Sequence, residues 1–295
     1  MTQASELQRR HRYEPTPDDN KRMTPKKWEA LLAVEELRTC TAEQVADWTS
    51  LSERAAGNHL RDLFDGGLIT RTPVSRLSLA DPHEPVHHSL LTGSAPNIHA
   101  MTKTGLKALA HAGFISDERA AIPPPKYTLA ASRLIAHELL TADILVWLKR
   151  IHGGAFTRFK RAGAAYIQLP GGGILKPDAR ADMEFDGRPL NGFIEADRGT
   201  EQGIQAWAAK YHDYRECIGN GLLLDETGSK RLRVVVGVTN PKRQAKLKAV
   251  LEDLQSRFEL IPRRFYIGVL EEMRGASESD PIWAVPGEES RQPFL

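Results

Sequence analysis

The segment Leu232-Arg233-Val234-Val235-Val236-Gly237-Val238-Thr239 is an almost unbroken apolar run set between two stretches of helical spacing, Gln202–Ile218 and Gln244–Phe258. A strand without polar alternation is covered on both faces, so this run commits the second half of the chain to a sheet with helices packed against it. Strand-like spacing recurs at Phe156–Lys160, Ile174–Phe185, Leu190–Ala196 and Phe265–Leu270, with Gly171-Gly172-Gly173 and Asp186-Gly187 marking turns. Leu134, Ile135, Leu139, Leu140, Ile144, Leu145 and Leu148 make the apolar face of a helix that precedes these strands and ends near Gly153-Gly154. The expected fold of residues 129–275 is α/β (α+β), a mixed sheet flanked by helices.

With 295 residues and 41% hydrophobic content, the chain exceeds the usual domain of about 100–200 residues and can bury two cores. Composition shifts at Ser116-Asp117-Glu118-Arg119 and Pro123-Pro124-Pro125. Consecutive prolines interrupt helices, so residues 116–128 are expected to link a domain at 25–115 to the one at 129–275. Residues 1–24 have no apolar face to bury and are expected to form a disordered tail. Residues 276–295 read as a polar tail with Trp283 and Phe294 as isolated anchors. No apolar run approaches the about 18 residues of a membrane span and the N-terminus is polar, so a soluble, cytoplasmic chain with no membrane partner is expected. Cys40 and Cys217 lack CxxC spacing, which argues against a disulfide framework and a zinc site. A net charge of +2 leaves a nucleic-acid partner to be decided by local patches.

In the first domain, Pro25 after Thr24 opens a helix through Trp28, Leu31, Leu32, Val34 and Leu37. Thr41 with Gln44 is a capping-box pattern that opens a second, short helix. A third runs from Ser52 to Phe64, with Ala56, Leu60, Leu63 and Phe64 on its buried side and Arg54, Gly57, Asn58 and Arg61 opposite. This stretch, with its closing Gly67-Leu68-Ile69 phrase and the step Ala100–Leu109, resembles a bacterial winged helix-turn-helix regulator, with residues 70–100 as a long wing. A helix of that kind fits the major groove. Ser52, Arg54, Asn58 and Arg61 are the expected duplex contacts, with Arg71 and Arg76 on the wing; a winged helix that contacts protein instead is the competing reading.

In the second domain, acidic residues gather at the ends of neighbouring strands: Lys176-Pro177-Asp178, then Phe193-Ile194-Glu195-Ala196-Asp197, followed by a helix carrying Lys210, Tyr211 and Tyr214. Crowded carboxylates cost free energy unless a cation neutralises them, which points to a hard-metal site. The competing account is that these acids are solvated, or that Asp197 caps the next helix, where a negative charge is stabilised without metal. Lys242-Arg243, Lys246 and Lys248 read either as a solvated helix face or as an additional DNA face.

The order of elements resembles the PD-(D/E)xK nuclease superfamily. From about Lys27 to Thr239 the chain is more narrowly similar to the replication-relaxation family of bacterial plasmids and mobile elements. The match rests on His137-Glu138-Leu139, Lys176-Pro177-Asp178, Phe193 to Thr200, and Lys210-Tyr211 with Tyr214. The resemblance implies that Asp178 and Glu195 are metal ligands, for magnesium or alternatively manganese, in phosphodiester hydrolysis. The lysine expected two residues beyond the second acid is replaced by Asp197, and Lys210 is the residue that would take its place. Asp197 is then a third ligand or a group that orients the water. Glu138 is an auxiliary acid, and Arg198 or Tyr214 positions the backbone.

Two functions stay open. One is a duplex DNA-binding protein of plasmid replication, relaxation or transfer with a metal-dependent endonuclease or nickase domain. The other is a transcriptional repressor whose inactive nuclease-like domain serves dimerisation or sensing. A homodimer would suit a two-fold site, but no residue pattern fixes its surface.

Overall fold

The computed structural model describes residues 22–73, 97–124, 132–185, 187–199, 203–224, 229, 231–258 and 264–294. The expected wing residue Arg76 and residues 1–21 of the expected tail at 1–24 lie outside these described residues. Two compact units divide the chain, one of Met1–Ala80 with Pro85–Ala142 and the other of Asp143–Leu295 with Asp81–Glu84.

The first unit opens with helix α1, Pro25–Leu37, where Thr24 accepts a hydrogen bond from the Lys27 amide and Pro25 fills the first turn. Strand β1, Thr39–Cys40, leads to α2, Ala42–Thr49, which is closed by the reciprocal Thr41–Gln44 capping box. A left-handed Ser50 turns the chain into α3, Glu53–Asp65, capped by Ser52. Strands β2, Ile69–Pro73, and β3, Asn97–Met101, then pair antiparallel, and the sheet order is β1-β3-β2. Helix α4, Lys103–His111, starts against the turn between α3 and β2. A Cβ on Gly105 would stand 2.1 Å from the Leu68 carbonyl oxygen, so only glycine fits there. Ala30, Leu31, Val34, Leu37, Leu60 and Leu63 fill the core.

The expected linker is partly structured. Helix α5, Asp117–Ala121, is capped by Ser116, and Arg119 pairs with Glu35 of α1 at 2.7 Å. The division into units falls later, between Ala142 and Asp143, inside α6, Ser132–His152. Apolar contact explains this placement: Ile135 and Leu139 pack with Ile98, and Gln44 donates to the Leu139 carbonyl at 3.0 Å, which ties the first half of the helix to the first unit.

In the second unit β4, Phe156–Arg161, β7, Ala179–Phe185, β8, Arg188–Asp197, β9, Leu232–Val238, and β10, Phe265–Val269, form one sheet in the order β10-β9-β8-β7-β4. The β4-β7-β8 side is antiparallel and the β8-β9-β10 side parallel, giving the expected mixed sheet. The strand expected over Ile174–Phe185 is split: Ile174–Leu175 (β6) pairs with Ile167–Gln168 (β5), and β7 begins after Pro177, which has no amide hydrogen to donate. Helices α7, Gly203–Gly219, and α8, Pro241–Phe258, make the parallel crossovers. Trp207, Tyr211, Tyr214, Leu247 and Leu251 from these helices pack with Phe193, Val234, Val236 and Phe265.

Residues 276–294 are folded, contrary to their reading as a tail. Helix α9, Leu270–Gly275, is followed by a segment whose Ala284 bridges Ile267 and whose Trp283 bridges Gln292. Trp283 and Phe294 are buried against Trp147 and Tyr266, with ring centroids 5.0 to 6.3 Å apart. Gly268 makes room for them, since a Cβ there would meet the Trp283 ring at 2.7 Å. Among the described residues no helix is long and apolar enough to cross a membrane.

Candidate functional site

Because β7 and β8 run antiparallel, the start of one lies beside the end of the other. The Asp178 amide donates to the Ile194 carbonyl at 3.1 Å, and the Ala196 amide donates to Asp178 Oδ2 at 2.8 Å. These two bonds hold Asp178 across from Glu195. Phe193, Glu195 and Asp197 alternate on one face of β8, and on α7 Trp207, Lys210 and Tyr214 share a side at helical spacing. Strand and helix therefore match step for step. Trp207 Nε1 donates to Asp197 at 2.9 Å, Lys210 Nζ reaches Glu195 Oε2 at 2.9 Å, and the Tyr214 hydroxyl donates to Glu195 Oε1 at 2.7 Å. The Tyr214 ring then meets Phe193 edge-on at 5.4 Å. All of this lies at the carboxyl ends of the parallel strands, the edge at which open α/β sheets bind ligands.

Glu195 is 1% exposed. Burial pushes its carboxyl up to about 7; Lys210 opposes the rise, the Asp178 charge adds to it, and the Tyr214 and Lys210 hydrogen bonds favour the ionised form. Tyr214 is pushed well above the ordinary phenol range by burial and by the neighbouring Glu195 charge. Lys210 and Tyr214 together occupy two of the roughly four acceptor directions of the Glu195 carboxylate.

Asp197 differs. Arg243 donates to it through Nε at 2.9 Å and Nη2 at 2.7 Å, the Gly199 amide at 2.6 Å and Trp207 at 2.9 Å, four donors in all. A carboxylate has about four lone-pair sites, so none is left here for a metal or a water. The expectation of Asp197 as third ligand or water-orienting group is corrected on that ground. Arg243, which the sequence placed on a basic helix face, is the residue that sequence reasoning missed. The other two carboxylates of the site are Asp178, which accepts from the Ala196 amide, and Glu195, which accepts from Lys210 and Tyr214. Among the described residues no group of three or more His, Cys, Asp or Glu side chains comes together in metal-binding geometry.

The auxiliary residues divide. Tyr214 joins the site, whereas Arg198, just after β8, is buried, with 6% of its surface exposed. Glu138 lies in the first unit and pairs with Arg38 at 2.8 Å, so its charge is already matched there. On α3, Arg54 and Asn58 are exposed, and Ser52 is exposed while accepting from the Ala55 amide at 3.2 Å. Arg61 pairs with Asp65 at 3.0 Å one turn on, and Arg71 is half-buried on β2. His99 is held down to about 4 by burial, with the Arg71 charge adding to the effect.

A family model described as Replication-relaxation matches residues 31–231, more than half of the chain. No curated protein matches it. Among solved structures, the restriction endonuclease FokI superposes with a TM-score of 0.29 and 11% identity, over 86% of this chain and 44% of that one. So loose a superposition, on a protein less than half of whose length is spanned, carries no argument about fold or chemistry.

Proposed function

Since the chain belongs to the replication-relaxation family, we propose that it binds duplex DNA through its first unit and that its second unit is a PD-(D/E)xK-like domain able to hydrolyse a phosphodiester at Asp178, Glu195 and Lys210. The single observation that carries the second half is the meeting of these groups at one sheet edge, with Lys210 2.9 Å from Glu195. The first half is supported by the order of α1 to α4 around a three-stranded sheet, a winged helix-turn-helix arrangement in which α3 offers Ser52, Arg54 and Asn58 to a major groove.

Asp178 and Glu195 fit a hard divalent cation, because Mg2+ is commonly held by one or two carboxylates and completes its shell with water and substrate phosphate oxygens. Magnesium, or manganese, held by them would supply a bound water of lowered pKa and positive charge at the phosphoryl oxygen. The chain's own residues do the rest. Tyr214 and Lys210 fix the rotamer of Glu195, so its remaining lone pairs keep one direction. The Lys210 ammonium offsets negative charge that grows on the phosphate. Burial in this unit makes Glu195 lose its proton only around neutrality, so the ionised centre forms as pH rises through about 7.

A second reading, a transcriptional regulator whose second unit does not cut, is favoured by one observation. Lys210 already neutralises Glu195 and Arg243 already neutralises Asp197, so the acids need no metal for charge balance. Supercoiled plasmid incubated with magnesium or manganese separates the two. Relaxed or linear product from the wild type, absent with Glu195→Ala and with chelator, is the expected result. Intact plasmid under every condition, with duplex binding retained, supports the regulator.

A further inference from the structure

The Asp197–Arg243 pair does more than neutralise a buried acid. Arg243 occupies the third position of α8, where its own amide donates to Asn240 Oδ1 at 2.8 Å, so both ends of the residue are fixed. The fork uses two of the five N–H donors of a guanidinium and leaves three. Nη1 bonds to no described residue, and the side chain keeps 13% of its surface exposed. Asp197 lies one strand repeat, roughly 7 Å, beyond Glu195 on the same face. The guanidinium is therefore held beside the Glu195–Lys210 centre with its outer donors unspent. Lys242 and Lys246 are exposed on the same first turns of α8 and add positive charge around it.

From this geometry we infer that Arg243 is a phosphate-anchoring residue for the duplex and that Asp197 is its positioning residue. The inference rests on the reading that the second unit engages DNA. A planar fork matches two phosphate oxygens, and a guanidinium pre-set by a carboxylate loses little side-chain freedom when a phosphate arrives. The contact is to the backbone and carries no sequence preference.

The test measures affinity for a mixed-sequence linear duplex at fixed salt. In the full chain, Asp197→Asn with Arg243→Gln removes both charges together and keeps hydrogen-bonding side chains in place. This double variant is expected to melt near the wild type and to bind about tenfold more weakly, the scale of a lost charge-assisted hydrogen bond. Binding within twofold of wild type overturns the inference. Should the double variant be unfolded at the assay temperature, Arg243→Lys takes its place, with several-fold weaker binding expected and unchanged binding overturning. Arg54→Ala with Asn58→Ala on α3 runs in parallel. If those changes weaken binding and the Arg243 variants do not, only the present inference fails. If the wild type shows no salt-sensitive duplex binding, the proposed function fails and takes the inference with it.

Discussion

At the scale of single residues, Glu195 carries the most unusual chemistry. Its carboxyl titrates near 7 in the folded chain against 4.5 as the reference value, so between these pH values the folded state holds a proton that the unfolded state has released. Glu195's contribution to stability is thus fully present below about 4.5 and is lost as pH rises through about 7, on the order of 3 kcal/mol. Glu195→Gln is expected to flatten this part of the stability curve in denaturant titrations across that window. The same titration governs the proposed chemistry, so any cleavage is expected to increase with pH through about 7. Tyr214→Phe removes one donor from the ionised form and should shift that profile upward. Much of this constellation was legible in sequence: alternation put Glu195 and Asp197 on one strand face, and the four-residue step from Lys210 to Tyr214 put both on one helix face. Arg243 was not legible, because its role depends on where β9 stops and α8 begins, two elements distant in sequence from Asp197.

At the scale of elements, sequence periodicity located the strands and helices well wherever packing followed a regular repeat. It failed at the ends. The last stretch is polar by composition, yet Trp283 and Phe294 enter the cluster around Trp147 and Tyr266. Irregular chain carries no period by which two aromatic anchors could be assigned a partner. Phe294→Ala is expected to cost about 3–5 kcal/mol, read as a lowered denaturation midpoint. In the first unit, Gly105→Ala would drive a methyl group into the Leu68 carbonyl, a fixed backbone atom. That substitution should destabilise the unit, read as a lowered denaturation midpoint, whereas an ordinary helix-interior change from glycine to alanine stabilises by about 0.5–1 kcal/mol.

At the scale of the whole molecule, the proline-rich stretch after Ile122 looked like the natural place to separate two domains. Apolar contact places the change later, since Ile135 and Leu139 complete the core around Ile98 and Glu138 pairs with Arg38. A fragment of residues 22–152 is accordingly expected to melt higher than one of residues 22–124, and equal melting temperatures would contradict that assignment. Asp197, finally, gathers Gly199, Trp207 and the distant Arg243 through four donors. A lysine placed at 197 would confront the Arg243 guanidinium with a like charge, and the buried indole of Trp207 would lose its acceptor. Residues 197 and 243 are therefore expected to tolerate change only as a pair, each needing the other's charge.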